Sequence, residues 1–212
     1  MSPRAGLNRD ILIAAALDVV DRDGLDALSM RRLGAELGVD PMAAYRHIPN
    51  KDALLDGIVE AVVSQADLTD DPALSWQERL GRLVRAYVEA LMAHPNALPV
   101  IAERPWRTPG ALRVLERALD VMTKAGASPH DALVAINAVG FFTSGLALAI
   151  AAQNRAPGVA EQHADTLSSL PAEQYPAIHE LLRSGQTTSG PDDIVEFAVT
   201  AVVAEVERRI GS

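Results

Sequence analysis

Hydrophobic and polar positions follow a helical period almost throughout the chain. The first such stretch carries apolar residues at positions 12, 15, 16, 19 and 20, which fall on one face of a helix. Asn8 is placed to cap the start of this helix, and Gly24 to end it. No stretch shows the strict apolar–polar alternation of a half-buried strand. The pattern therefore predicts an all-α protein.

The next two predicted helices are short and joined by a tight turn. Ser29 caps the second helix, which ends at Gly38. Asp40 and Pro41 then supply an N-cap and a first-turn proline for a third helix, which runs to about His47. Two short helices with so short a connection are what a helix-turn-helix requires.

Small residues favour this helix-turn-helix. Gly34 and Ala35 are expected to let the two helices approach closely, and Gly38 to supply the positive φ of the turn. Such a motif presents the start of its second helix to the major groove of DNA. The candidate DNA contacts from the pattern are Pro41, Met42, Ala43, Tyr45, Arg46, His47 and Lys51. The pattern alone leaves a plain helical hairpin with a charged face equally open.

The rest of the chain also predicts helices. A polar linker over 67–75 follows a connecting helix that spans about 51–66, and 155–170 is expected to be a mobile loop. Later helices are predicted from Trp76, from Thr108, and over about 131–154, 172–184 and 192–210. We therefore expect a three-helix DNA-binding domain over 1–55 and a larger helical domain over 67–212.

Composition and charge narrow the class of protein. The 212 residues include 19 basic and 28 acidic side chains, a net charge of −9, so the chain is not a basic nucleic-acid coat. Residues 1–51 are electrically balanced, and only 29–51 has a local basic excess that tolerates a polyanion. The absence of cysteine excludes a disulfide scaffold, thiol catalysis and Cys-ligated zinc.

Signals for an enzyme or a membrane protein are missing. The sequence has no Gly-rich phosphate loop, no Gly-x-Ser-x-Gly elbow and no metal-ligand spacing among its five histidines, so neither enzymatic activity nor a cofactor is expected. Residues 132–154 carry no charge, but their polar side chains and the lack of an aromatic belt argue against a membrane span. Without a signal peptide, a cytoplasmic protein is expected.

The first 60 residues resemble the DNA-binding domain of the tetracycline-repressor (TetR) family. The resemblance rests on Leu7–Ile11, Gly24-Leu25, Leu28–Leu33, Leu37-Gly38-Val39 and Tyr45–Leu55. More faintly, Ser75-Trp76-Gln77 and Ala138–Gly145 resemble the regulatory domain of the tetracycline repressor itself. The resemblance implies a homodimeric regulator with a DNA-reading domain and a domain that both dimerises and binds a small effector.

The resemblance also assigns roles on the DNA side. It places Arg31 near a base or phosphate and Lys51 on a phosphate at the start of the connecting helix. We expect Arg46 and Arg31 to discriminate among sequences, while Tyr45, His47 and Lys51 position the domain. The tetracycline repressor has Gln-Pro-Thr where this chain has Pro41-Met42-Ala43, which implies a different operator, read partly through thymine methyl groups.

The effector pocket implied by the resemblance is less sharply defined. Its residues, by position, are Leu83, Tyr87, Ile101, Arg104, Trp106, Leu133, Asn137 and Phe141. Each apolar one is equally compatible with plain core. Tetracycline–magnesium is not the expected effector, because the repressor holds that chelate with histidines and segments 60–75 and 96–108 contain none.

The implied partner is a second copy of the chain. In the family, helices corresponding to about 131–154 and 192–210 form a four-helix bundle with the same pair of the other subunit. The expected seam of the last helix is Val195, Val199, Val202, Val206 and Ile210. The chain is thus interpreted as a repressor that binds a palindromic operator and is released by a small molecule. A constitutive or protein-regulated DNA-binding dimer without an effector remains the alternative.

Overall fold

The computed structural model describes residues 7–104, 107–155, 159–185 and 190–210, and within these ranges it contains helices and no strands. The helices are α1 (Arg9–Asp23), α2 (Met30–Leu37), α3 (Pro41–Tyr45), α4 (Lys51–Val63), α5 (Trp76–Met92), α6 (Leu98–Glu103), α7 (Pro109–Lys124), α8 (Pro129–Arg155), α9 (Val159–Ser168), α10 (Pro176–Ser184) and α11 (Pro191–Ile210). The prediction of an all-α fold is confirmed.

Local capping accounts for where the first four helices begin. At each start, a side-chain oxygen of the preceding residue accepts a backbone N–H of the first turn, which would otherwise lack a partner. The cap–donor pairs are Asn8–Ile11 (2.9 Å), Ser29–Arg32 (3.1 Å), Asp40–Met42 (2.7 Å) and Asn50–Ala53 (2.8 Å). The predicted starts of these helices are therefore correct.

Two hydrophobic cores organise the molecule. The first lies among α1, α2, α3 and α4, where Leu12, Leu33 and Leu54 are fully buried, and it extends to Ile101 of α6 and Val114 of α7. The second lies among α5, α7, α8 and α11. Because α6 and α7 contribute to the first core, helices α1 and α4, which flank the helix-turn-helix, pack directly against the C-terminal half.

Several elements differ from the sequence prediction, among them α10, which begins at Pro176 rather than near 172. The segment expected to be a mobile loop, 155–170, contains Arg155, the last residue of α8, and the whole of α9. Residues 156–158 lie outside the described ranges. Helix α9 contains the run Ala160-Glu161-Gln162 and Ala164, residues of favourable helix propensity. Helix α4 ends at Val63 rather than near 66, and the short α6 was not predicted.

The residues predicted to form the dimer seam on α11 face the interior of their own protomer. Val195, Val199 and Val206 are buried within their own protomer, packed into the second core, and Val202 and Ile210 pack against it. The helical period identified a buried face correctly, but that face is covered by this chain's own helices α5 and α8. No described helix is long and apolar enough to cross a membrane.

Candidate DNA-binding face and ligand cavity

The turn between α2 and α3 depends on a close backbone approach. The N–H of Val39 donates to the carbonyl of Gly34 at 2.9 Å, and Gly38 has a φ of +64°. A Cβ on Gly34 would lie 2.9 Å from the carbonyl oxygen of Val39 and 3.2 Å from Cγ of Pro41, so only glycine fits there without a shift. Ala35, predicted to share this role, is exposed and does not.

The residues predicted to contact DNA lie together around α3. Met42 is 67% exposed and Tyr45 is 41% exposed, while Ala44 between them is fully buried and anchors the helix. Pro41 and Ala43 are half-buried; Arg31, Arg46, His47 and Lys51 are exposed. Because α3 ends at Tyr45, Arg46 and His47 belong to the turn that follows it rather than to the helix itself.

Basic residues near this face fall into two classes, those with an ion-pair partner and those without. Arg22 and Arg32 pair with Asp23 and Glu36 at distances of 2.9–3.6 Å and so hold α1 against α2. Within the described part of the chain, Arg31, Arg46 and Lys51 form no ion pair. Their charges are therefore available to a polyanion.

Two neighbouring pockets, here called the apolar chamber and the polar chamber, lie between the helices of the C-terminal half and α4. The apolar chamber, of about 40 Å³, lies among α5, α7, α8 and α11. The polar chamber, of about 90 Å³, lies among α4, α6 and α8, and is lined by Arg104, Asn137 and Ser144 besides apolar groups. Tyr87 and Gly140 line both chambers. Burial raises the pKa of the Tyr87 phenol, which therefore stays neutral at ordinary pH.

The structure brings most of the predicted effector residues to these chambers. Leu83 lines the apolar chamber, and Ile101, Arg104, Asn137 and Phe141 line the polar one. Leu133 lines neither chamber and is 41% exposed in the single protomer, so its place in the effector site stays a prediction. Trp106 lies outside the described residues.

Sequence reasoning missed several lining residues. From α4 these are Val59 and Val63, and from α8 they are Gly140 and Ser144. The α8 residues could have been predicted from the sequence, because positions 140, 141 and 144 lie on the same helical face as Asn137. Val59 and Val63 could not have been predicted, because the local sequence does not show which face of a helix borders a cavity.

Arg104 joins the polar chamber to α4. Its guanidinium donates to Asp52 and, at 2.8 Å, to Oδ1 of Asp56, one turn further along α4. The hydrogen bond with Asp52 is the main cause that raises the pKa of Arg104 and lowers the pKa of Asp52. The Nε of Arg104 is buried and has no hydrogen-bond partner among the described residues. Arg107 lies 3.4 Å from Asp52 and 3.6 Å from Asp56.

A third carboxylate of α4 contacts the start of α7. The backbone N–H of Gly110 donates to Oε2 of Glu60 at 2.5 Å, and Arg113 lies 3.2 Å from Oε1. Partial burial raises the pKa of Glu60, but the hydrogen bonds it accepts outweigh that effect and the net pKa is lowered. Asp52, Asp56 and Glu60 are four residues apart, so one face of α4 is held along its length by the 104–113 segment.

Family models match both halves of the chain. Residues 12–58 match the model described as "Bacterial regulatory proteins, tetR family", and residues 68–210 match the one described as "Tetracyclin repressor-like, C-terminal domain". The transcriptional repressor DrrR1 of Streptomyces coeruleorubidus is 30% identical over 203 residues, covering 90% of this chain and 73% of the relative. The class D tetracycline repressor protein of Escherichia coli is 31% identical over 192 residues, covering 89% and 83% respectively.

A solved structure agrees over nearly the whole fold. The TetR family protein ActR of Streptomyces coelicolor, crystallised in complex with actinorhodin, superposes with a TM-score of 0.86 at 27% sequence identity. The match covers 98% of this chain and 100% of that one. This chain therefore shares its architecture with a TetR family protein that was crystallised with a bound ligand.

Proposed function

Because this chain belongs to the TetR family of transcriptional regulators, we propose that it is a homodimeric repressor that binds a palindromic operator and releases it when a small molecule binds at the two chambers. The observation that carries the proposal is the position of α4 between the two sites. Its first residue, Lys51, is one of the exposed cations of the DNA-binding face. Val59 and Val63, toward its other end, line the polar chamber. One rigid element thus touches both sites.

On the DNA side, we assign α3 and the turn after it to the major groove. The exposed Met42 favours apolar contact with thymine methyl groups, and Arg46 with Arg31 suits bidentate contact with guanine. Tyr45, His47 and Lys51 suit phosphate contacts, which position a domain without reading sequence. The family matches over 12–58 and 68–210 support a division into a DNA-binding domain (1–55) and an effector and dimerisation domain (67–212).

Exposed aromatic residues on α8 and α11 support the dimer. Phe141 is 76% exposed and Phe197 is 71% exposed. A contiguous exposed apolar patch marks a surface that another protein covers, and α8 also exposes Phe142 and Leu148. Because the valines of α11 face inward, we propose that the intersubunit face of α11 is the one that carries Phe197, on the side opposite the predicted seam.

Release of DNA would follow from movement of α4. The 104–113 segment holds Asp52, Asp56 and Glu60, and Arg104 with Ala111 also lines the polar chamber. A ligand that shifts this segment therefore shifts α4 and the α3 attached to it. Two recognition helices must be about 34–36 Å apart to enter successive major grooves, so a small change in spacing lowers operator affinity.

Chemistry of the chambers bears on the effector. Among the described lining residues there is no His, Asp or Glu, so the side chains that would hold a tetracycline–magnesium chelate are not there. The actinorhodin complex of ActR supports the idea that a protein of this fold binds an organic molecule. We infer a mainly apolar organic effector.

Selection of binding sites from a randomised duplex pool tests the proposal. Purified full-length protein should retain a palindromic motif with half-sites about one DNA turn apart, bound by a dimer. Sedimentation of the complex gives its stoichiometry. Retention of no sequence at low salt, where phosphate contacts are strongest, would refute the operator-binding function.

A further inference from the structure

Three neutral polar side chains line the polar chamber without a hydrogen-bond partner. They are the phenol of Tyr87, the amide of Asn137 and the hydroxyl of Ser144, and within the described part of the chain none of them forms a side-chain hydrogen bond. All three residues are half-buried, and among the described residues none of their polar atoms is fully enclosed, in contrast to the Nε of Arg104. Each group is therefore accessible to a partner that the chain itself does not supply.

The opposite wall of this chamber is apolar apart from Arg104. Its lining residues from α4, α6 and α7 are Val59, Val63, Ile101, Ala102 and Ala111. The unpartnered hydrogen-bonding groups thus come from α5 and α8, whereas α4, α6 and α7 offer apolar contact. A ligand that suits both walls has a polar edge toward α8 and a hydrocarbon body toward α4.

The charges at this site favour a neutral ligand. Arg104 is the charged side chain among the described lining residues, and its guanidinium is already paired with Asp52 and Asp56. Arg107 pairs with the same two carboxylates, so two positive charges are balanced by two negative ones. A carboxylate or ammonium ligand would bring a charge that no lining group compensates, and its desolvation would be costly.

The amide of Asn137 distinguishes between neutral groups. It offers an acceptor, Oδ1, beside two donors on Nδ2. A ligand ketone satisfies Nδ2 but leaves Oδ1 without a donor, and a polar atom covered by a ligand and left unpaired costs free energy. A ligand carboxamide presents its own N–H and C=O side by side, so it pairs with both atoms of Asn137 at once.

We propose that the polar chamber binds a small neutral molecule that carries a carboxamide on an apolar ring, with the carboxamide paired to Asn137 and the ring packed against Val59 and Val63. The chamber, of about 90 Å³, holds roughly six to nine water-sized groups, which is room for one substituted ring. The inference rests on the proposed effector function and specifies its ligand class. It also places the body of the ligand against α4, the helix that begins at Lys51.

Three probes of equal size test the ligand class. Benzamide, acetophenone and benzoate share a phenyl ring and a carbonyl carbon, but only benzamide is neutral and offers both a donor and an acceptor. We expect NMR titration of the full-length protein to show benzamide bound at least about threefold more tightly than acetophenone, although acetophenone is the more hydrophobic, and benzoate bound most weakly. Tighter binding of acetophenone or benzoate, or no binding of benzamide in the millimolar range, would overturn the inference.

Asn137→Leu removes the amide with little change in side-chain volume. Benzamide should lose about tenfold in affinity and acetophenone should become the preferred probe, because the pairing groups are gone. Asn137→Ala removes the same groups without adding bulk and should abolish the preference as well. Gln174→Leu, the same chemical change at an exposed position before α10, is the matched control and should keep the wild-type order. A persisting preference for benzamide in folded Asn137 variants would reject the contact.

Methyl signals of valines locate the bound ring. Those of Val59 and Val63 should shift when benzamide is added, because the ring lies against them. Those of Val206, which is buried in the second core and lines neither chamber, should not. Shifts confined to Leu80 and Val202, which line the apolar chamber, would place the ligand elsewhere and contradict the proposal.

The outcome is separable from that of the repressor proposal. A protein that selects a palindromic duplex but shows no Asn137-dependent preference for benzamide keeps the first proposal and rejects this one. A protein that binds benzamide through Asn137 and selects no duplex does the reverse.

Discussion

Nδ1 of His94, just after α5, lies 2.7 Å from Oδ2 of Asp21 on α1, although 73 residues separate the two in sequence. The other ring nitrogen of His94 lies 2.9 Å from Nε2 of Gln65, beyond the end of α4, and Nδ2 of Asn96 donates to the backbone carbonyl of Asp21 at 2.9 Å. This cluster fastens α1 of the DNA-reading half to both the end of α4 and the end of α5.

Removing the imidazole should loosen this junction. In His94→Ala, Oδ2 of Asp21 loses its hydrogen-bond partner on the imidazole. Oδ1 of the same carboxylate is already buried without a hydrogen bond among the described residues. We expect the free energy of unfolding to fall by about 1–3 kcal/mol in urea titrations. Arg183→Ala, which removes an ion pair exposed on α10, is the control and should change it by less than about 0.5 kcal/mol. Equal effects of the two variants would show that the junction contributes nothing.

Replacing Gly34 by alanine should damage the helix-turn-helix. The new methyl group would meet the carbonyl of Val39 at 2.9 Å, and backbone cannot move away cheaply. We expect a loss of about 1–3 kcal/mol of stability and weaker binding to the selected duplex. Ala35→Ser, at the exposed neighbouring position, should leave both within experimental error. Full stability and DNA affinity in Gly34→Ala would contradict the assigned close approach.

Lys51→Ala should weaken DNA binding without changing its specificity. Loss of one phosphate contact in each subunit of the dimer lowers affinity for all duplexes alike and reduces the slope of log K against log salt by about 1.8. Lys124→Ala, which removes an exposed cation paired with Asp120 on α7, is the control and should leave the slope unchanged. A changed sequence preference in Lys51→Ala would show that this residue reads bases.

The contact between Glu60 and α7 should make stability depend on pH. The folded-state pKa of Glu60 lies below its ordinary value of 4.5, so the stabilisation is present above about pH 4.5 and is lost as the pH falls through the folded-state pKa. Glu60→Gln should therefore cost roughly 1 kcal/mol near neutrality and progressively less in acid. Urea titrations of both proteins between pH 3 and 7 measure this; a difference independent of pH would exclude the ionised carboxylate as its cause.

A charge at Phe197 should dissociate the dimer. If α11 meets its partner through the exposed Phe197, then Phe197→Glu places a carboxylate in an apolar interface, and sedimentation should show a monomer where wild type is a dimer. Leu112→Glu, a matched change at a half-exposed leucine of α7, should remain dimeric. A dimeric Phe197→Glu would move the interface elsewhere.

Local interactions explain what the sequence alone predicted well. The helix starts at Asn8, Ser29, Asp40 and Asn50 follow from bonds between each cap and an N–H two or three residues later. The turn at Gly38 likewise follows from one residue's φ. These interactions close within a few residues, so their signals are contiguous in sequence and readable without knowledge of the fold.

Interactions between distant segments were decided only by tertiary structure. The hold of Arg104 on Asp52 and Asp56 spans about fifty residues, and no local pattern reveals it. The same holds for burial: helical spacing places Leu133 and Asn137 on one face of α8, yet only Asn137 lines a cavity. The sequence by itself determined where helices begin and which residues share a face. Which neighbour covers each face, and hence where the cavity and the ion pairs to α4 lie, depended on packing among helices far apart in the chain.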